Sequence, residues 1–449
     1  MISGSTFGLV RIKTCGTCLG IWLTVNIIVR MRSNIILLFL LLAVVPVVRV
    51  SAAEPDLVLE RYIELALSQN PGLAAGLLQS EAAGQMPQQE SALPDPMLGF
   101  GLRELSVDDP GLHSTNMTAK WISLEQEFPF PGTLGRKRDR ARAMQKMSAA
   151  MAEKERAMLI SDVKQMYYEW AYVRLAMDLV RESRALMEQS LAQAVQSYQV
   201  GMGSQSDILR AQTEIIRFDN ELAELRQMER TAVADINICC ALPPDVITQV
   251  PSPLTFSTVD ISYDTLWAWI QASNPEITAA TAKIESARLD RDLAGRMYYP
   301  MFRLGAEYIQ RKGVDEPENM VSFMGGMTIP LYWWKKQNPM LRQRRLELQQ
   351  TTEERQNVTN LAHAQLTDLV AKTASLREQI ERFDNSILPQ AEQTFAAAQA
   401  GYITGKVDFM TLLSSQMLVL DSERDRAMKT AEYLRTWAKI EALVGRRIL

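Results

Sequence analysis

A single long internal repeat constrains this sequence more than any other feature. The repeated residues shape turns or lie beside them, and they pair as Asn70 with Asn274, Pro71 with Pro275, Tyr198 with Tyr402, Gly201 with Gly405, Leu209 with Leu413, and Gln212 with Gln416. The two members of each pair lie 204 positions apart. Solenoid units span about 20 to 50 residues, so this repeat is a duplicated module of domain size. We expect one quasi-symmetric object with two interlocked halves, residues 54–250 and 251–449.

Residues 1–53 form a predicted leader. An apolar run at 35–48 follows two arginines and is followed by small residues at 51–53, which is the pattern of a secretory signal. We expect the mature chain to begin near Glu54. Residues 1–30 precede a complete signal that has its own methionine, which favours a start codon assigned too early. The alternative is one long leader with a second apolar stretch.

Composition and charge argue against several classes of function. The formal net charge of −4 gives no general attraction to nucleic acid. The two histidines, His113 and His363, lie away from any Cys or acidic cluster with ligand spacing, so we expect no metal site and no cofactor. The sequence shows no phosphate-binding loop and no nucleophile–base pairing, so we expect no enzyme. The adjacent Cys239 and Cys240 indicate small residues packed in a helix, with an oxidised vicinal pair as the alternative.

Very long helices dominate each half. No Gly or Pro occurs from 136 to 200, and a helix of that length would extend roughly 100 Å. Since globular helices average about 11 to 12 residues, such a rod must pack along other rods. Apolar residues spaced alternately by three and four indicate coiled-coil packing. The predicted helices are 133–200 and 204–242 in the first half and 264–297, 338–401 and 406–445 in the second, with a further helix opening the first half.

Short runs of alternating apolar residues predict two strands in each half. The predicted strands are 97–107, 116–129, 301–311 and 320–331. Their length suits tilted membrane-spanning β-strands. No run of 18 or more apolar residues follows the leader, so a helical membrane span is not expected.

Four strands are too few to close a membrane barrel. An open sheet edge in lipid leaves backbone donors and acceptors unpaired, and the smallest membrane barrels need about eight strands. Several copies must therefore pool their strands, and their rods would form a helical cylinder below. A water-filled duct is the function we infer. The alternative is a periplasmic coiled-coil adaptor with a β-domain at one end.

Three ordered motifs run through residues 55–449: the duplicated Asn-Pro, the Phe-Pro-Phe-Pro-Gly at 128–132, and the Tyr-x-x-Gly before each helical turn. With these three motifs in this order, the sequence resembles the TolC family of outer-membrane efflux proteins. The resemblance implies a mainly α fold with a small β portion. It implies a homotrimer whose twelve strands, four per chain, form a barrel in the Gram-negative outer membrane, continuous with an α-barrel of long helices that crosses the periplasm.

The resemblance also implies partners. They are a periplasmic adaptor of the membrane fusion class, an inner-membrane pump expected to be of the RND type, and the lipids of the outer membrane. The pump would supply the energy, so the duct itself would conduct passively.

The helical turns mark the candidate gate at the periplasmic tips. Gly201 and Gly203 end the first rod and Gly405 ends the second, because glycine tolerates the left-handed conformation that closes a helix. We expect Tyr198 and Tyr402 to pack and hydrogen-bond at these tips, and the adaptor to dock on the turns.

Members of the TolC family narrow the entrance with acidic side chains just after the turns. Asp207 matches such a position in the first half. The second half departs from the pattern, because its nearest carboxylate is Asp408, one turn closer to the tip. A ring of three Asp408 side chains would attract cations. The alternative is a helix N-terminal aspartate favoured by the macrodipole.

The cargo has only weak signals in the sequence. Residues 92–97 resemble a stretch found in outer-membrane members of heavy-metal efflux systems, and this favours metal cations over drugs. Methionine, which is also frequent, mostly fills irregular packing in helices. A duct for type I protein secretion is the other class of function.

Overall fold

The computed structural model describes residues 56–105, 118–201, 203–246, 249–312 and 317–448. In the first half the elements are α1 (Leu57–Gln69), α2 (Pro71–Ser91), β1 (Met97–Arg103), β2 (Ala119–Phe128), α3 (Thr133–Gln199) and α4 (Gln205–Cys239). In the second half they are α5 (Tyr263–Ser273), α6 (Pro275–Arg296), β3 (Phe302–Lys312), β4 (Pro317–Met327), α7 (Gln337–Arg382), a π turn (Phe383–Ile387), α8 (Leu388–Ile403) and α9 (Phe409–Val444). Within the described residues, no helix combines the length and apolar content needed to cross a membrane.

Each half opens with two helices where one was predicted. The predicted helix 264–297 is wrong, because the chain is extended at Asn274, between α5 and α6. The Asn274 side chain accepts a hydrogen bond from the Ile277 amide at 2.9 Å and so caps α6. Pro275 occupies the first turn, where its missing N–H costs nothing. Asn70 caps α2 in the same way, through Leu73.

The duplicated Asn-Pro also has a tertiary role. Asn70 donates from Nδ2 to the Cys239 carbonyl at 2.9 Å, and Asn274 donates to the Leu443 carbonyl at 2.7 Å. Each asparagine therefore ties the break between its two helices to the end of the last helix in the same half. This contact explains why both halves keep the motif.

The long helix of the first half is continuous, whereas its counterpart is interrupted. Helix α3 has 67 residues and therefore extends about 100 Å at 1.5 Å per residue. The predicted helix 338–401 is observed from Gln337 to Ile403, with a π turn at Phe383–Ile387 between α7 and α8. Pro389 follows directly, and a proline has no amide hydrogen to donate to the preceding turn. Arg426 of α9 donates to the Asp384 carboxylate inside the π turn.

The strands form one antiparallel sheet in the order β1-β2-β3-β4. The predicted strand 320–331 is wrong at both ends, because the observed strand is Pro317–Met327. Pro330 cannot donate to a ladder, and the chain turns toward α7 instead. Strand β1 ends at Arg103 because Glu104 adopts a left-handed φ of 58°. Residues 106–107 of the predicted first strand lie outside the described residues.

Large buried side chains form a core in each half and a third core between the halves. The first contains Tyr62 and Trp170, and the second contains Trp437 and Ile270. The third joins residues of α3 and α4 with residues of α9. Helix α9 packs along both α3 and α7, so it connects the two halves within one chain.

Candidate functional site: an amphipathic sheet and a helical tip

One face of the sheet is an exposed apolar surface. The register places Phe100 opposite Ile122, and Tyr308 opposite both Ile122 and Val321. The large side chains on this face are Leu98, Phe100, Leu102, Ile122, Leu124, Leu304, Tyr308, Val321, Phe323 and Met327, and all of them are exposed. Phe100 is 81% exposed and Phe323 is 83% exposed. Soluble monomers rarely expose an apolar surface as large as this one, which covers four strands. We therefore interpret it as a surface that contacts lipid or another protein.

The opposite face is polar. Arg103 donates to Glu307 at 2.8 Å, and Arg303 donates to Glu127 at 2.6 Å. Trp121 lies over the two glycines of β1, because a Cβ at Gly99 would lie 2.9 Å from its ring. The register of β2 with β1 fixes which side chains of β2 lie on each face. The sheet is therefore apolar on one side and charged on the other, as a strand pair between lipid and water requires.

The two helical turns at the tip have the same geometry. Gly201 and Gly405 both adopt left-handed φ angles, of 76° and 71°. The Gly201 amide donates to the Tyr198 carbonyl at 3.0 Å, and the Gly405 amide donates to the Tyr402 carbonyl at the same distance. At Gly203, an added Cβ would lie 2.8 Å from the Tyr198 backbone nitrogen, so close backbone approach requires glycine there.

The structure treats the two tip tyrosines differently. Tyr402 is half-buried and packs edge-to-face on Phe409, with ring centroids 5.8 Å apart. Burial and the nearby charge of Asp207 raise the pKa of the Tyr402 hydroxyl. Tyr198, which was also expected to pack, is 49% exposed in the single chain. Tyr402 of the second half thus lies near enough to Asp207 of the first half for the charge to raise its pKa, while Tyr198 is exposed.

Asp408 is the N-cap of α9. Its Oδ1 accepts a hydrogen bond from the Thr411 amide at 3.0 Å. Hydrogen bonds from Thr411 and the nearby charge of Arg210 hold the pKa of the Asp408 carboxyl below its usual range. The capping role is the second of the two alternatives offered by the sequence. A cation-attracting ring of three such residues is untested and stays a prediction.

Arg210 is the tip residue that sequence reasoning missed. It lies one turn after Asp207 on α4, and its counterpart in the repeat is Ser414, so no duplicated motif marks it. Asp207 and Arg210, at the start of α4, lie close enough to the turn between α8 and α9 for their charges to act on the pKa values of Tyr402 and Asp408.

The remaining sequence candidates take no part in a reactive site. Cys239 and Cys240 are free buried thiols, so the oxidised-pair alternative is wrong. Burial raises the pKa of Cys240 to about 11, which makes it a poor nucleophile. His363 packs edge-to-face on Trp267, with ring centroids 4.8 Å apart. His113 lies outside the described residues. Among the described residues no cluster of His, Cys, Asp and Glu could hold a metal ion.

Comparison with known proteins decides the family. The family model described as "Outer membrane efflux protein" matches residues 62–237 and again 269–446. The chain belongs to this family. The double match coincides with the two halves of the repeat. Two relatives from Pseudomonas putida, the probable efflux pump outer membrane protein SepC and the toluene efflux pump outer membrane protein TtgF, are each 24% identical over 385 residues, which is 80% of this chain and 77% of either relative.

Solved structures show the same fold. CusC superimposes with a TM-score of 0.74 at 15% identity, over 87% of this chain and 92% of CusC. VceC from Vibrio cholerae gives a TM-score of 0.73 at 16% identity, over 88% of this chain and 97% of VceC. The predicted mainly α fold with a small antiparallel sheet is confirmed by these structures, and the predicted outer-membrane localisation is confirmed by the family membership. The outer membrane efflux protein described here is a channel protein that extends into the periplasm, and not an enzyme.

Proposed function

We propose that three copies of this chain form the outer-membrane exit duct of a tripartite efflux system. The observation that carries the proposal is an asymmetry between the repeats. In α9, one stripe of side chains is buried against α3 of the same chain. In α4, the residues that correspond to Leu413, Gln416 and Leu420 of α9 are Leu209, Gln212 and Ile216, which have the same chemical character and are exposed. A second copy of the chain would cover them in the same way.

Two pairs of residues make this argument quantitative. Leu420 of α9 is 1% exposed, whereas its counterpart Ile216 in α4 is 60% exposed. Gln416 is 3% exposed and donates to the Ser183 carbonyl of α3 at 2.9 Å. Its counterpart Gln212 is exposed. An unpartnered apolar stripe of this kind favours a heterologous contact that closes into a ring.

The same correspondence between the two halves identifies the surface on which α4 would pack. Ser183, the acceptor for Gln416, corresponds to Ile387 at the end of the π turn. Ile387 is 39% exposed in the single chain, whereas Ser183 is 7% exposed. We therefore infer that α4 of one copy packs along α7 and α8 of the next, as α9 packs along α3.

The sheet supports the same assembly. Strands β1 and β4 lie at its two edges in the described part of the chain. An edge strand in lipid must find a partner, because no water is present to satisfy its backbone. Three copies would contribute twelve strands to one closed barrel, with the apolar faces toward lipid and the ion pairs of Arg103 and Arg303 toward the lumen.

The attraction between the nearby charges of Arg210 and Asp408 would favour an entrance that is closed at rest. Docking of a periplasmic adaptor on the turns at Gly201, Gly203 and Gly405 would bias the second-half helix pair toward an open packing. An inner-membrane pump, proposed to be of the RND type, would deliver the cargo.

We infer heavy-metal cations as the cargo, on the strength of residues 92–97. Small organic solvents are the second candidate, because the relative TtgF is described as part of a toluene efflux pump. The test uses a host that lacks its own outer-membrane channels and expresses this chain with its genomic neighbours, a pump and an adaptor. Minimum inhibitory concentrations would be measured for copper, zinc and cobalt salts and for toluene.

Restored growth on metal salts is the expected result. Restored growth on toluene alone would contradict the proposed metal cargo and would leave the proposed duct unaffected. Export of a protein substrate with an ATP-driven exporter, and no change on either set of toxic compounds, would favour type I secretion. A monomeric, water-soluble product without conductance would support the coiled-coil adaptor and contradict the duct.

A further inference from the structure

Basic side chains are concentrated where the sheet gives way to the helices. They occur in the first turns of α3, in the segment that leads into α7, and in the first turns of α7. Together we call them the basic collar: Arg136, Lys137, Arg138, Arg140, Arg142, Lys335, Lys336, Arg342, Arg344 and Arg345. Within 136–142 the one carboxylate is Asp139, and within 335–345 there is none. A polybasic cluster beside a membrane-spanning segment is attracted to anionic lipid.

A cavity of about 610 Å³ lies within the collar. It is enclosed by the start of α3, the end of α6, and the linker from β4 to α7. Its basic lining includes Lys137, Arg140 and Lys336, against one carboxylate, Asp290. Arg140 pairs with Asp290 at 3.4 Å. In the described part of the chain, neither lysine forms a salt bridge, so their charges are available to an anionic ligand.

Two buried polar atoms of the cavity lining have no hydrogen-bond partner among the described residues. Gln337 is 8% exposed, and its Nε2 donates to the Met297 carbonyl at 3.3 Å. Its Oε1 remains buried without a donor, and Arg140 Nε remains buried without an acceptor. Native proteins rarely leave such atoms unsatisfied. One side chain offers an acceptor and the other a donor, so a suitable ligand presents both an anionic oxygen and a hydrogen-bond donor.

The helix ends add to the positive potential. Helices α3 and α7 both begin at this cavity, and neither has a side-chain N-cap or an acidic residue in its first turn. By contrast, α1, α4, α5 and α9 are all capped by an Asp or Ser side chain. The N-terminus of a long helix favours an anion, through its free amides and its dipole. Two such ends converge here.

Exposed aromatic residues border the cavity on the side of the sheet. Tyr332 lines it and is 68% exposed, and Trp333 and Trp334 are 49% and 51% exposed. Tyr and Trp are enriched at the level of lipid headgroups, where one part of the ring is in apolar and the other in polar surroundings. The cavity therefore lies at the depth where headgroups occur.

We propose that this cavity binds the headgroup of an anionic phospholipid of the periplasmic leaflet, of the phosphatidylglycerol type. The phosphate lies between Lys137, Lys336 and Arg140, and a headgroup hydroxyl donates to Gln337 Oε1. The acyl chains run past Tyr332 along the apolar face of the sheet. This inference rests on the proposed position of the sheet in the membrane, but it concerns a site within one chain and does not depend on the cargo.

Native mass spectrometry of the full mature protein in detergent tests the site. Delipidated protein would be titrated with phosphatidylglycerol, with phosphatidylethanolamine and with inorganic phosphate. The variant Lys137→Gln/Lys336→Gln removes the two free charges. The variant Lys137→Arg/Lys336→Arg retains them, and Lys146→Gln on the exposed side of α3 is the matched control. Single-channel conductance of each variant reports whether the duct itself is intact.

The expected result is retention of about one phosphatidylglycerol per subunit by the wild-type, arginine and control proteins. The glutamine variant should bind it at least about ten-fold more weakly, with conductance unchanged. Equal binding by the glutamine variant would overturn the site. Equal binding of phosphatidylethanolamine by the wild type would also overturn it, because the charge would not matter. Displacement of the lipid by millimolar phosphate would assign the cavity to free phosphate. If the wild type lacked conductance, the proposed duct would be contradicted, whatever the result for the lipid.

Discussion

The two halves of this chain share a sequence pattern but not a structural environment. Helix α3 runs unbroken for 67 residues, while its counterpart is divided by a π turn and Pro389. Helix α9 is buried between its own hairpin partner and the first half, while α4 packs along α3 and leaves its other side exposed. Duplication therefore supplies the repeating wall of a ring. The differences between the halves show that α4 lacks the packing partner that α9 has, and that the long helix of the second half contains a π turn that α3 lacks.

The largest expected effect comes from the exposed side of α4. Ile216→Asp would place a carboxylate where the account puts a buried contact with the next copy. We expect loss of the trimer, since an unpaired buried charge costs about 3 kcal/mol at each interface. Size-exclusion chromatography with light scattering in detergent measures this. Arg217→Asp is the control, because its counterpart is the exposed Asp421. Equal trimer content in both variants would show that the asymmetry has no bearing on assembly.

A second prediction concerns the π turn, which the first half lacks. Deleting Asn385 would restore regular α-helical hydrogen bonding, because a π turn corresponds to one inserted residue. The trimer should remain, while export falls to the level of cells without the channel, since the second-half pair loses its π turn, a place where helices commonly kink. Growth on toxic cargo measures export, and Asn385→Ala is the control of unchanged length. Full export by the deletion variant would mean that the π turn is not used in opening.

The charges at the tip should have a smaller effect. Arg210→Ala removes the cation of α4 that lies near Asp408, and Asp207→Asn removes the carboxylate that lies near Tyr402. We expect Arg210→Ala to raise the open probability by a small factor, because exposed opposite charges attract each other only weakly, and Asp207→Asn to change it less. Open probability in planar bilayers measures this at neutral pH. Unchanged open probability in the double variant would show that Asp207 and Arg210 do not help to keep the tip closed.

The smallest expected effect is a pH dependence of stability that arises from Glu423, in α9 of the second half. Burial and the carboxylates of Glu182 and Glu392 raise the pKa of Glu423. An unfolded glutamate titrates near about 4.3. Protonation therefore favours the folded state, and this contribution to the free energy of unfolding grows as the pH falls through the raised pKa. It is complete below the unfolded value.

Glu423→Gln should raise stability at neutral pH and flatten this dependence. Thermal unfolding at a series of pH values measures both effects. Its counterpart in the first half, Asp219, is exposed and paired with Arg184 at 2.7 Å, so Asp219→Asn is the control. If the pH dependence of stability changed more in the control than in Glu423→Gln, the assignment of this effect to Glu423 would be contradicted.

Sequence reasoning reached the features that depend on local chemistry and on the repeat. The long helices follow from the absence of Gly and Pro, and the left-handed turns follow from Gly201 and Gly405. The broken helix at Asn274 was missed, although Asn-Pro is a strong capping signal that could have found it. The π turn has no such signal before Pro389. Its place depends on Asp384 meeting Arg426 of another helix, which is a tertiary contact.

The candidate sites divide in the same way. The tip glycines are visible in the sequence because backbone conformation selects the residue type. The proximity of Arg210 to Asp408 is not visible, because the two residues lie far apart along the chain. The cavity of the basic collar is likewise a tertiary feature, since α3, α6 and α7 meet only in the folded chain.

Disulfide trapping tests the central claim most directly, namely that the next copy covers the exposed side of α4. In a Cys239→Ser/Cys240→Ser background, Gln212→Cys would be combined with Ile387→Cys. A second variant would combine the corresponding pair within one chain, Gln416→Cys with Ser183→Cys. The account predicts covalent trimers from the first pair and cross-linked single chains from the second, on non-reducing gels. Efficient cross-linking of the second pair, with none between chains for the first, would contradict it.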